Sequence, residues 1–215
     1  MTARRQGDAD RERSLAKLRR NAAGCRNCDL WKNATQTVFG SGPATARVMF
    51  VGEQPGDVED IEGEPFVGPA GRLLRDAIVE AGGDPAQLYL TNAVKHFKWE
   101  PRGKRRIHDR PSREEILACR MWLDEEVALI RPVAIVALGA TAVSVLLGSS
   151  VRVMRDRGAF FPSALGPRVA VTVHPSSILR APDANSRTAA RKAFVADLRR
   201  ILRGVGVMSK TKESS

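Results

Sequence analysis

Acidic residues are the scarcer charged type in this 215-residue chain: 24 Asp and Glu stand against 35 Lys and Arg, a net charge of +11. That excess argues against an acidic partner-repelling surface and suits a polyanionic partner, nucleic acid first among them. A basic protein with no such partner has the same composition. Cysteine is rarer still. Three residues, Cys25, Cys28 and Cys119, exclude a disulfide framework of the small secreted kind. No apolar run is long enough to span a bilayer, and the N-terminal stretch is charged rather than signal-like, so a cytoplasmic protein with no membrane contact is expected. Internal repeats and dividing linkers are missing. So is a Gly-x-Ser-x-Gly elbow, which argues against a hydrolase built from Ser176 or Ser177 with His174. What remains is ordinary for one globular domain with a real core: 43% hydrophobic and 27% charged residues.

Apolar runs and breakers order the chain as alternating helices and strands. Residues 1–9 are polar and are expected to be disordered. A helix is expected over Asp10 to Asn21, with Leu15 and Leu18 inward and Gly24 as its stop. Val48 to Val51 reads as a buried strand that ends at Gly52, with Pro55-Gly56 forcing a turn. Ala70 to Glu80 reads as an amphipathic helix. Leu88 to Val94 is the second strand. Ser112, with Glu115 at the capping-box position, starts a helix that runs to Ile130. Val133 to Leu138 is the third strand, followed by a short helix to Leu147. Arg152 to Arg168 is a loop or hairpin region. Val169 to Val173 is the fourth strand, and a basic helix from Ser186 to Arg203 closes a single domain spanning 10–204. Residues 205–215 are expected to form a disordered tail. This alternation predicts an α/β fold, a three-layer α/β/α arrangement around a central, mostly parallel four-stranded sheet.

Open α/β sheets bind ligands at the carboxyl ends of their strands. That rule brings Glu53 and Gln54, Asn92, and His174 to one rim, and convergent polar groups make a pocket. Between Lys95 and Arg110 lies a segment rich in cations (Lys95, Lys98, Arg102, Lys104, Arg105, Arg106, Arg110) interleaved with Phe97 and Trp99. Pro101 and Gly103 argue against regular structure there. Cations mixed with aromatics suit phosphate contact and base stacking, although most charge runs are only solvated faces. Cys25-x-x-Cys28 suits a metal site or a redox pair. Its setting after a basic helix, away from a βαβ unit, favours metal.

Gly52-Glu53-Gln54-Pro55-Gly56 with Pro65-Phe66-Val67-Gly68-Pro69-Ala70-Gly71 resembles the first motif of the uracil-DNA glycosylase superfamily, in the version of its iron–sulfur family 4. His174-Pro175-Ser176-Ser177-Ile178-Leu179-Arg180 resembles the second motif. Cys25, Cys28 and Cys119 resemble three of the four cluster ligands. The resemblance runs from about Cys25 to Arg203. Two departures stand out: His96 replaces the third cysteine, and the longer following segment carries Lys104-Arg105-Arg106-Ile107-His108. With Gln54, these resemble the UdgX branch, known for trapping uracil-containing DNA covalently through the histidine of this loop.

The resemblance implies a 4Fe–4S cluster held by Cys25, Cys28, His96 and Cys119, with a structural role. Softness alone suits zinc equally. It implies a uracil-DNA glycosylase-like fold and a pocket for a base taken out of the stack. Phe66 would stack on that base. Asn92 would donate to O4 and accept from N3–H, a pattern that cytosine inverts. His174 would donate to O2 as the uracil anion leaves. Gly56 belongs to the same substrate-binding loop. Ser176 and Ser177 would hold phosphate, and Arg180 would reach into the vacated space. Glu53 and Gln54 would position a water or polarise the sugar. Asp57 and Asp60 would orient the loop cations, while Lys104, Arg105 and Arg106 hold the DNA backbone. His108 would capture C1′ in place of water, since tethering gives it a large effective molarity. The expected outcome is excision of uracil from DNA, single-stranded DNA included, by a monomer that releases free uracil and stays bound after one turnover. The alternatives are a conventional multiple-turnover iron–sulfur uracil-DNA glycosylase, with His108 as a DNA contact only, and a zinc-stabilised nucleic-acid binder without chemistry.

Overall fold

A computed structural model describes residues 2–208. The element order is α1 (Thr2–Ala23), β1 (Val48–Gly52), α2 (Asp57–Glu62), α3 (Pro69–Glu80), β2 (Tyr89–Asn92), β3 (Trp99–Arg102), β4 (Arg105–His108), α4 (Arg113–Ile130), β5 (Ala134–Leu138), α5 (Gly139–Leu147), α6 (Val153–Asp156), β6 (Phe160–Phe161), β7 (Arg168–Thr172), α7 (Pro175–Leu179) and α8 (Ala184–Gly204). The central sheet has the order β2-β1-β5-β7-β6. Its first four strands are parallel, and β6 runs antiparallel to β7.

The strands read as unbroken apolar runs because both faces of the sheet are covered. Side chains alternate along each strand. Met49, Val51, Ile135, Ala137, Val169 and Val171 therefore pack with residues of α1, α4 and α5. Val48, Phe50, Ala134, Val136 and Ala170 pack on the other side with residues of α3 and α8. Each fully buried Val, Ile or Phe contributes roughly 1.5–3 kcal/mol. Among the described residues no helix is long and apolar enough to cross a membrane.

The structure departs from expectation in several places, among them short helices α2, α6 and α7 where turns or loops were expected. The sheet has five strands rather than four, because Phe160–Phe161 pairs with Val169 and Ala170. Two residues are too few to show a strand period. The segment expected to be irregular holds a hairpin, β3–β4, with Trp99 opposite His108 and Arg102 opposite Arg105. Pro101 is tolerated there because each strand of a two-stranded ribbon is an edge. Gly103, at φ +60°, supplies the left-handed residue that opens a tight hairpin turn. The first helix begins at Thr2, not at Asp10, since nothing between them breaks a helix except one tolerated glycine, Gly7. At the other end, Val205 is buried and Val207 and Met208 pack on the core, so the expected tail starts later than 205. Its remainder, 209–215, lies outside the described residues.

Candidate active site

Strands β1, β2, β5 and β7 end on one edge of the sheet, and a pocket of about 830 Å³ opens there. Of the residues singled out from the sequence, Glu53, Gln54, Gly56, Phe66 and Asn92 line it. So do His108, His174, Ser176, Ser177 and Arg180. Gly52 ends β1 beside Asn92 and Phe66. A Cβ there would lie 2.3 Å from Asn92 Oδ1 and 2.8 Å from Phe66 Cζ, so only glycine lets both approach. Asn92 is 3% exposed. Phe66 sits at φ +60°, strained for a non-glycine residue, and its ring stacks with that of His174 at a 6.2 Å centroid distance.

His174 caps the short helix α7. Its Nδ1 accepts the Ser176 backbone N–H at 3.2 Å and lies 2.8 Å from Ser176 Oγ. An acceptor Nδ1 leaves the proton on Nε2, which is then a donor. Burial pushes the His174 pKa down to about 4, with Glu53 opposing and Arg180 and His108 adding to the depression. The ring is neutral at physiological pH. Ser177 Oγ donates to His174 O at 2.7 Å. Both serine hydroxyls thus bond within the His174 turn while lining the pocket.

Glu53 Oε1 lies 3.3 Å from His108 Nε2, and Oε2 accepts from Thr141 Oγ1. Burial favours the protonated Glu53 acid. The hydrogen bonds from His108 and Thr141, with the charges of His108 and Arg110, outweigh it and hold the carboxyl below its usual range. The His108 side chain is 49% exposed, and its ring tilts against Phe97 at 6.2 Å.

Gln54 lines the pocket and also bonds the β3–β4 hairpin. Its amide donates to Lys98 O (3.1 Å) and Asp109 O (2.9 Å), and its oxygen accepts from Lys98 N (3.0 Å). Both donors are spent on the two roots of the β3–β4 hairpin. Arg106 grips the other side of that hairpin: it pairs with Asp57 and Asp60 at 2.6 Å each and lies over the rings of Phe97 and Trp99. Asp60 is fully buried and also accepts from Thr35 N. Arg106, Asp57 and Asp60 therefore anchor the hairpin and do not line the pocket. Lys104 and Arg105 do not line it either. They are exposed, as is Arg102, and none of the three makes an ion pair among the described residues.

The cation run sorts itself in the fold. Lys95 is fully buried against Glu126, and Lys98 pairs with Asp109 and Glu115. The aromatics are committed too. Phe97 is buried, and Trp99 Nε1 donates to Asn33 O at 2.9 Å, so neither is a free stacking platform. Sequence reasoning missed Glu59 as a clamp, though it stood in plain sight among the acids after Gly56. Its carboxylate accepts from Gly56 N (3.2 Å) and Gly68 N (2.9 Å), tying together the two halves of the first loop. The Gly56 N–H is spent on this clamp and is not available to a substrate. Arg110 and Thr141 line the pocket as well. Thr141 carried no sequence signal.

Cys25 stands near enough to disfavour ionisation of Cys28, and both stand near enough to disfavour that of Cys119. Burial is the main force pushing Cys119 up to about 12, against the pull of Lys95, whose backbone N–H donates to its sulfur at 3.2 Å. Burial also raises Cys28. Thiols so placed become thiolates when a cation binds them. His96 is 4% exposed, and burial lowers its pKa, with Asp60 opposing. Its Nδ1 is buried without a hydrogen-bond partner. Thr37 Oγ1 donates to Ala23 O and lies 2.9 Å from His96 Nε2, so it takes the Nε2 proton and leaves the Nδ1 lone pair free. An orphaned imidazole nitrogen, on the residue after Lys95 whose N–H bonds Cys119, together with three thiols, fits in kind the donor set of an iron–sulfur cluster, whose ligands bind separate irons. Among the described residues no three His, Cys, Asp or Glu side chains are grouped to hold a single metal ion.

The family model described as "Uracil DNA glycosylase superfamily" matches residues 39–199. The chain is 40% identical over 157 residues to a type-4 uracil-DNA glycosylase of Thermotoga maritima, covering 73% of this chain and 78% of that protein. It is 36% identical over 185 residues to that of Saccharolobus solfataricus, covering 82% and 80%. A type-5 enzyme of Pyrobaculum aerophilum is 29% identical over 182 residues, 76% of each chain. The matched span runs through all four pocket-forming strands and both motif loops. On that extent of match, the chain belongs to the uracil DNA glycosylase superfamily.

Proposed function

We propose that this protein excises uracil from DNA and is then captured as a covalent adduct through His108. The excision step is supported by family membership and by a pocket that combines a buried amide, an aromatic wall and a neutral histidine donor. In this reading Phe66 stacks on the flipped base, and Asn92 pairs with its O4 and N3–H edge. The C1′–N1 bond breaks and its electron pair stays on N1. His174 donates from Nε2 to O2 and stabilises that anion in a site shielded from water. The ionised Glu53 stabilises the positive charge left on the sugar.

The observation that carries the second step is the imidazole of His108 at the pocket mouth, 3.3 Å from Glu53 on a hairpin anchored at both roots by Gln54. One ring nitrogen donates its lone pair to C1′, and the ring then loses its N–H proton to solvent. Such a tethered nucleophile outcompetes water by proximity. Cys25, Cys28, His96 and Cys119 would hold the 4Fe–4S cluster, which supplies a structural pin between the N-terminal segment and the roots of this hairpin. A conventional multiple-turnover glycosylase is the second reading, favoured by the relatives named type-4 uracil-DNA glycosylases.

Denaturing gels of protein with uracil-containing and control oligonucleotides separate the two. Wild-type protein is expected to give a detergent-resistant complex with uracil DNA only. His108→Ala should lose that complex yet leave abasic DNA and gain turnover. A His108→Ala protein that still forms the complex has another nucleophile. Wild-type protein that turns over without a complex is a conventional glycosylase.

A further inference from the structure

Beneath the pocket lies a charged network that the excision chemistry does not touch. Lys95 and Glu126 are both fully buried and pair at 2.6 Å. The Lys95 ammonium spends all three donors: on Glu126 Oε2, on Thr91 Oγ1 at 2.6 Å and on the backbone carbonyl of Asn92 at 2.8 Å. Glu126 also accepts from Tyr89 Oη (2.9 Å), Gly40 N (3.1 Å) and Thr91 Oγ1 (3.0 Å). Every polar group of the pair has a partner. A buried ion pair adds little net stability over well-packed apolar residues, because desolvation offsets the attraction. What it supplies is direction.

That direction converges on Asn92. The chain leaves β2 at Asn92 and turns so that Ala93 N and Val94 N bond to Gly52 O (3.0 Å) and Glu53 O (2.9 Å). Lys95 closes the turn from inside, its ammonium on the Asn92 carbonyl and its backbone N–H on Cys119 Sγ. We propose that Lys95 and Glu126 are positioning residues for base selection, fixing the peptide plane of Asn92 so that its amide meets the uracil edge in one orientation. The inference rests on the reading that Asn92 pairs with the base. It also joins one cluster-ligand position, Cys119, to the base-reading residue through a single side chain and its own backbone.

The test is binding of free uracil, with cytosine as comparison, followed by ligand-observed NMR, which needs no turnover. Lys95→Met alone leaves a buried carboxylate unpaired, so the informative variant is Lys95→Met with Glu126→Gln, which removes both charges together. Its fold is checked by thermal unfolding and by retained visible absorbance. It is expected to fold and to bind uracil about tenfold more weakly, with a smaller preference over cytosine. Thr91→Val, which removes the bridging hydroxyl at nearly constant volume, should weaken uracil in the same direction by a smaller factor, and it decides the matter if the double variant does not fold. Asn92→Ala is the control. If Asn92→Ala loses uracil while the double variant and Thr91→Val bind it as the wild type does, the positioning role is wrong. If Asn92→Ala itself binds uracil normally, the base-reading assignment falls and this inference falls with it.

Discussion

Burial of the ring and the Ser176 N–H on Nδ1 keep His174 neutral with its proton on Nε2. Keeping a histidine neutral has a thermodynamic consequence. An unfolded histidine titrates near 6.5, whereas this one titrates at about 4. Between those values the unfolded chain holds more protons than the folded one, so stability rises with pH across the window. It is lost as pH falls from 6.5 towards 4. At about 1.4 kcal/mol per pH unit, the ceiling on this loss is roughly 3 kcal/mol. His174→Leu should therefore show a flatter dependence of melting temperature on pH in the acid window than wild type. An unchanged slope would assign the acid sensitivity to other groups.

The β3–β4 hairpin carries His108, the nucleophile of the proposed adduct, and it is held by side chains rather than by the main sheet. Gln54 bonds its two roots, while Arg106 bonds α2 and covers Phe97 and Trp99. Gln54→Ala strips partners from one N–H and two carbonyls, a cost of about 1–3 kcal/mol when such groups stay buried. Its functional effect should be uneven. Adduct formation is expected to slow by about ten- to a hundredfold, because a loosened tether loses effective molarity. Uracil release should fall less, since Asn92, Phe66 and His174 stand on other elements. Single-turnover time courses of both products measure this. Equal slowing would mean that the hairpin serves the pocket as a whole and not His108. Arg106→Lys should behave like Gln54→Ala, because an ammonium cannot reproduce a planar fork that spans two carboxylates and stacks on rings.

For the whole molecule, the +11 charge is a statement about association with DNA. Much of the cation run is already neutralised within the fold: Lys95, Lys98 and Arg106 all have acidic partners. Arg102, Lys104 and Arg105 at the hairpin tip are exposed and make no ion pair among the described residues. Replacing Lys104 and Arg105 by Ala should lower the slope of log K against log salt by about 0.7 per lost contact on single-stranded DNA. Arg106→Ala should leave that slope nearly unchanged. Fluorescence anisotropy on uracil-free oligonucleotides, where no covalent step intervenes, reads this directly. A full unit lost in Arg106→Ala would return that residue to the phosphate-binding set.

Short-range features were legible without coordinates. Val48 to Val51 and Val133 to Leu138 read as strands because burial on both faces leaves a run with no polar residue. Ser112 with Glu115 marked a helix start because capping is settled within one turn. Glu53, Asn92 and His174 could be brought to one rim because a parallel sheet exposes its carboxyl ends together. Tertiary structure decided which charges were free. Lys95 and Arg106 are indistinguishable from Lys104 and Arg105 in a one-dimensional run. Their partners Glu126, Asp57 and Asp60 lie 31 or more residues away in the chain. The same holds for Gln54, whose amide meets Lys98 and Asp109 only after the hairpin has folded back over β1. Periodicity records which side of an element is buried. It carries no record of which distant group supplies a buried charge or amide with its partner, and that pairing sets the roles in this site.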